Sequence, residues 1–388
     1  MVDARLRAAG VSLVIAVGLG ACAAPGPAAE GGGPHAEAFG RTRSGAAVEK
    51  VRLRNALGME VAYIDYGATL TELAVPDRDG RFANVVLSLP TLAAYEANQH
   101  RYGAEMGRYA GRIGAARFEL DGRVVQLQPN AKGVYLHGDP DGFDRRVWQR
   151  RDFAAAESLG SVFTMDSPDG DQHFPGHLVL EVTYRLARQR NEFCIEYRGT
   201  TDAPTVLNPT NHVFLNLAGA GSRGLAGHRF AIAADRYAAT DARRIPTGAL
   251  PEVAGTVLDF RAPAAVDARL ASGDPLLGTP ANVDHSLVFT AWDGSQRPVL
   301  AVDESGSGRH LEISSTEPAA QFNTGAGFAA SETGSEGRAY ARYDGFAFET
   351  QHLPDSPNHP NFPSTRLDPG QRFESRTCYA FGVSTGRP

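Results

Sequence analysis

The sequence lacks most of the features that fix a function class by composition. Basic residues are not in excess: 38 Lys+Arg against 44 Asp+Glu give a net charge of −6 and a pI near 6.0. No positive field is available to hold a phosphate backbone, so nucleic acid is not an expected partner. Cysteine is scarce, at three residues. Beyond Cys22 only Cys194 and Cys378 remain, which excludes a disulfide framework and any zinc-type spacing. No apolar run reaches the roughly 20 residues that span a bilayer. Helical periodicity is sparse, the best stretch being residues 92–100, and without strands alternating with helices a parallel βαβ sheet is excluded. After residue 40 no low-complexity segment, charge block or internal repeat divides the chain, so its 388 residues are read as one domain over 39–388.

What is present is a period of two. Residues 177–186 place Leu178, Leu180, Val182, Tyr184 and Leu186 on one face and Val179, Glu181, Thr183 and Arg185 on the other. Residues 191–198 repeat the pattern with Phe193, Ile195 and Tyr197, and the short polar link between the two makes a hairpin. Asp121 and Gly122 signal a second hairpin between residues 117–120 and 124–127. Similar segments recur at 61–66, 84–89, 298–302, 310–314 and 343–350. With 43 glycines and 24 prolines spread along the chain, many short strands joined by turns predict an all-β fold, a large antiparallel twisted β-sandwich with few short helices.

The first residues read as an address. Arg5 and Arg7 precede an apolar stretch near residues 11–19, followed by Leu19, Gly20, Ala21 and Cys22. That tetrapeptide resembles a bacterial lipobox, with Cys22 as the lipidated residue after a signal peptide over 1–21. The Gly-, Pro- and Ala-rich residues 22–38 suit a flexible tether. The chain is thus expected to be exported and lipid-anchored, periplasmic or at the cell surface, with no other membrane contact. In such an oxidising compartment Cys194 and Cys378 could pair. Each sits in an apolar, strand-like stretch where a buried free thiol is commoner, so pairing stays open.

Three motifs mislead. Residues 219–224 match a dinucleotide-binding fingerprint, but the following segment alternates like a strand, which favours a turn. Residues 382–386 match a nucleophile elbow without room for its helix. His173 and His177 are four apart, but Pro175 and Gly176 forbid the helix that would align them on a metal.

The clusters that remain carry polar side chains in apolar or glycine-rich text: GRYAGRI at 107–113, LHG at 136–138, NPTNH at 208–212, VDH at 283–285, QFNTG at 321–325 and FETQHLPD at 348–355. Singly each has a structural explanation, an ion pair, a hydrogen-bonded core histidine or a turn cap. Their combination and order resemble the aldose 1-epimerase, or galactose mutarotase, family, as do DYGA at 65–68, GFDRRVW at 142–148, SPDG at 167–170, NLAG at 216–219, IPTG at 245–248 and PNFP at 360–363. The resemblance covers the chain from about residue 40 onward. It implies a galactose mutarotase-like supersandwich with a monosaccharide in an open cleft across one sheet.

Carried onto this chain, the resemblance implies Glu349 as general base, His212 as general acid, and Arg112, His137, Asp284 and Gln321 as sugar-binding residues. Gly111 stands where the family commonly has asparagine, and Asp139 and His173 where it has glycine, which bears on sugar preference more than on reaction type. Mutarotation removes the anomeric hydroxyl proton and protonates the ring oxygen, so it needs one base and one acid facing one carbon, with no cofactor, metal or covalent nucleophile. The cycle is expected to run with His212 protonated and Glu349 ionised, a nearby carboxylate such as Asp284 favouring the imidazolium. Rotation about a carbon–carbon bond predicts a roomy, solvent-open pocket. Two alternatives are a hexose-6-phosphate epimerase, which needs added cations and has no visible arginine cluster beside these blocks, and a non-catalytic sugar-binding module. A monomer or weak dimer is expected.

Overall fold

The computed structural model describes Met1 and residues 32–384, and residues 32–384 belong to one compact unit. The expected signal peptide, the expected lipidation at Cys22 and most of the expected tether fall on residues 2–31, outside the described residues. The tether ends sooner than expected. Residues 35–38 belong to the strand His35–Arg41, which pairs with Ala47–Arg54. This edge strand is exposed except at the half-buried Phe39, so it carries no apolar alternation to betray it.

Every strand ladder among the described residues is antiparallel, and three sheets dominate. An N-terminal sheet of five strands runs in chain order from His35–Arg41 to Phe82–Asn84. A sheet of nine strands has the hairpin Leu178–Ala187 and Glu192–Thr201 near its centre, followed by the C-terminal strand Phe373–Val383. The third, the site sheet, orders Phe214–Leu215, Phe346–Gln351, Ala319–Asn323, Asp284–Phe289 and Ala234–Tyr237. The two helices are short, Leu92–Ala97 and Val266–Leu270. Thr91 caps the first, its Oγ1 accepting from Ala94 N at 3.2 Å.

The core lies where the nine-stranded sheet meets the site sheet. Phe230 of the former packs on Phe322 and Phe346 of the latter, ring centroids 5.1 and 4.9 Å apart. Because side chains alternate along a strand, burying Phe322 and Phe348 in this layer sends Gln321, Asn323 and Glu349 to the opposite face. Register aligns them: Gln321 is opposite Glu349, Ser286 opposite Gln321 and Asp284 opposite Asn323.

One further sequence expectation changes and one open question closes. Residues 84–89 leave the sheet after Asn84, whose Oδ1 accepts from Leu73 N and Val86 N and turns the chain away. Cys194 and Cys378 are joined by a disulfide. They stand directly opposite each other on adjacent strands, within bridging reach. Their apolar neighbours Phe193 and Tyr379 alternate to the core face, which made the cysteines look like core thiols.

Candidate active site

Two short pairings place the groups that face the site sheet. Arg112–Ile113 pairs with Tyr135–Leu136, so Arg112 sits beside Leu136 and one residue from His137. Thr210–Asn211 pairs with Glu105–Met106 and delivers His212 next in the chain. The His212 backbone is clamped on both sides, its N–H donating to Ala104 O at 2.9 Å and its carbonyl accepting from Gly103 N at 3.0 Å.

Arg112, His137, His212, Asp284, Gln321 and Glu349 all line one cavity of about 160 Å³. Arg101, Asn323 and Gln351 complete its polar wall. Asn323 and Gln351 lay inside the sequence blocks already singled out. Arg101 carried no signal, since it follows the first helix in unremarkable text.

Glu349 is 3% exposed, and its Oε1 lies 3.6 Å from His212 Nε2. Burial pushes its carboxyl up to about 8, with Arg112 and Arg101 pulling it back. Burial, then Arg101, push His212 down to about 3. The charge distribution expected from sequence is thereby corrected. Burial thus favours the form in which the pair's proton is on Glu349 and the His212 imidazole is neutral. Asp284 does not supply a negative charge to His212, because it forms an ion pair with Arg244 and accepts from Gln321 Nε2 at 2.7 Å. Gln321 in turn accepts from Ser286 Oγ at 2.5 Å, which fixes the amide with one N–H left over.

His137 Nδ1 accepts from Gly111 N–H at 3.1 Å, and burial, Arg101 and His212 hold the ring well below the ordinary imidazole range. A neutral ring accepting at Nδ1 carries its proton on Nε2 and donates there. That decides a metal question. Donor atoms of His137, His212 and Glu349 lie within 4.8 Å of one another, but a protonated Nε2 is no ligand, and two remaining donors do not make a metal site. Gly111 (φ 77°) earns its place here: an added Cβ would sit 3.0 Å from Pro354. Asp139 pairs with Arg101, so this departure from the family pattern neutralises a cation of the wall.

The cavity is tighter than the roomy pocket expected. The room lies beside it, in a vestibule of about 600 Å³ that shares Arg112 and Leu136 and adds Lys132, Arg243 and Arg244. The absence of an arginine cluster is thus also corrected: the turn preceding the IPTG block supplies one through folding, far in sequence from Arg112.

An aldose 1-epimerase family model matches residues 49–380. Galactose mutarotase of Rattus norvegicus is 37% identical over 348 residues, covering 89% of this chain and 98% of its own length. Aldose 1-epimerase of Escherichia coli is 36% identical over 331 residues, 85% of this chain and 94% of its own. Among solved structures, galactose 1-epimerase from Lactobacillus acidophilus superposes with a TM-score of 0.80 at 26% identity, covering 90% of this chain and 99% of that one. An aldose epimerase homologue from C. elegans gives 0.78 at 30% identity, covering 86% and 98%.

Proposed function

The chain belongs to the aldose 1-epimerase family, and we propose that Glu349 and His212 are the pair of groups with which it interconverts the α and β anomers of free aldoses. The observation that carries the assignment is their opposition, Oε1 to Nε2 at 3.6 Å across one cavity.

Ring opening starts from the less populated form in which the pair's proton has moved from Glu349 to His212: the anomeric hydroxyl proton passes to the Glu349 carboxylate while the His212 imidazolium protonates the ring oxygen; the C1–O5 bond breaks and C1 becomes a carbonyl. Rotation about C1–C2 and reversal of both transfers closes the ring on the other face. The open-chain state is therefore the one with neutral Glu349 and neutral His212, which is the distribution that burial favours. Opening runs toward it. Arg112, by drawing Glu349 back toward the carboxylate, keeps the closing step within reach. His137 donates from Nε2 and Asp284 accepts, which orients the hydroxyls, and each proton transfer is worth about 10² to 10⁴ in rate. The test is polarimetry on freshly dissolved α-D-glucose and α-D-galactose. Wild type should hasten the decay of rotation and Glu349→Gln should not; near-wild-type turnover in the variant rejects the pair.

We further propose that the enzyme is exported and lipid-anchored at Cys22. The Cys194–Cys378 disulfide supports an oxidising compartment, and among the described residues no helix is long and apolar enough to cross a membrane. Radiolabelled palmitate should enter wild type but not Cys22→Ala. A monomer or weak dimer is also proposed, measurable by light scattering.

A further inference from the structure

We propose that the vestibule beside the reacting pair binds an anionic group carried by the aldose away from its anomeric carbon, so that the preferred substrates are acidic sugars, carboxylated or phosphorylated. This deepens the mutarotase reading and rests on it. The vestibule is lined by Arg112, Lys132, Arg243 and Arg244 with Asn130 and Leu136, and no carboxylate is among its lining residues. It lies beside the reacting cavity, with Arg112 and Leu136 lining both.

The charge account leaves an excess. Arg243 is paired with Asp241 at 3.3 Å, and Arg244 with Asp284. Among the described residues neither Lys132 nor Arg112 has a carboxylate in ion-pair range. Cations gathered in a concave wall focus positive potential, and guanidinium groups bind carboxylate or phosphate through paired, charge-assisted hydrogen bonds. A neutral aldose carries no charge to match this excess.

The turns that carry the cations are also fixed. Asn130 Oδ1 accepts from Lys132 N at 2.9 Å, and Asp241 Oδ1 accepts from Arg243 N at 2.8 Å and Ile245 N at 3.0 Å. Both turns thus present a cation two residues after a side-chain acceptor. Arg244 adopts φ 62°, a left-handed conformation uncommon for a residue with a Cβ. It joins the vestibule to the sugar cavity through its pair with Asp284. An incoming anion competes for Arg244 and frees Asp284 to accept from a sugar hydroxyl, so that anion binding and sugar binding reinforce each other.

The experiment compares mutarotation of D-galactose, D-galacturonate and D-galactose 6-phosphate by the full-length protein at neutral pH, for wild type and Lys132→Ala/Arg243→Ala. Wild-type kcat/KM should favour at least one anion by about tenfold, the scale of a hydrogen bond to a charged group. The double variant should lose that advantage through KM and keep galactose within about twofold, and about 0.5 M NaCl should act as the variant does. Preference for galacturonate identifies a carboxylate, and preference for the 6-phosphate identifies a phosphate. Equal or better wild-type turnover of galactose overturns the proposal while leaving the mutarotase reading intact, as does equal slowing of all three sugars in the variant. Acceleration of none of them overturns both.

Discussion

His212 and Glu349 face each other at 3.6 Å and hold one proton between them over most of the accessible pH range. Burial drives both toward the uncharged form, Glu349 to about 8 and His212 to about 3. Above the first value the pair has no acid, and below the second it has no base. The pH profile of kcat/KM should therefore be a broad plateau with an alkaline limb near 8, a property of the pair and not of either residue. A profile centred on an acidic limb near 6.5 contradicts this arrangement.

Arg112 lowers the affinity of Glu349 for its proton. Arg112→Gln should move the alkaline limb upward as well as reduce kcat/KM by about tenfold or more, the scale of a lost charge-assisted contact. A slower enzyme with an unmoved limb would mean that Arg112 touches sugar without tuning the base.

The same burial opposes folding at high pH. The folded-state Glu349 carboxyl binds its proton more tightly than the unfolded one, so its contribution to stability is whole below 4.5 and declines as pH rises toward about 8. Glu349→Gln should melt higher than wild type at pH 9 and show less advantage at pH 5, measured by scanning calorimetry.

Glu105 stands directly behind the site. Its carboxyl accepts from Tyr184 at 2.6 Å, Tyr197 at 2.8 Å and Asn211 at 2.9 Å, and burial pushes it up to about 7. Glu105→Ala leaves buried donors unpaired and should cost about 2–4 kcal/mol in urea unfolding. Wild-type stability should fall as pH rises from 4.5 through about 7, and Glu105→Gln should flatten that part of the slope.

Reduction of the Cys194–Cys378 bridge, or the double alanine variant, should cost about 2–5 kcal/mol of stability and leave turnover at low temperature unchanged. The bridge lies in the nine-stranded sheet, whereas Glu349 projects from the site sheet and His212 follows the separate Thr210–Asn211 pairing.

How far the sequence was readable followed from the range of each signal. The hairpin at Leu178–Ala187 and Glu192–Thr201 was visible because one apolar face alternates over both strands. The six site residues were visible because each sits in a distinctive short block, and folding brings all six to one cavity. Signals that depend on pairing across the fold were not visible. The disulfide needs the register of strands 184 residues apart, and the cationic vestibule needs the turns at Lys132 and Arg243 to face each other. The proton distribution escaped for the same reason: the burial of Glu349 and the engagement of Asp284 by Arg244 are three-dimensional facts.

The disulfide also changes what a broken chain would look like. Residues 194–378 are closed into a covalent ring that contains His212, Asp284, Gln321 and Glu349, with Arg112 and His137 on the arm that precedes it. A protease that cuts once at the exposed turn bearing Arg243 and Arg244 opens the ring without releasing a piece, so both halves of the reacting pair stay on one molecule. Nicked protein would run as a single band until a reductant is added, and an enzyme built this way outlasts its first cleavage.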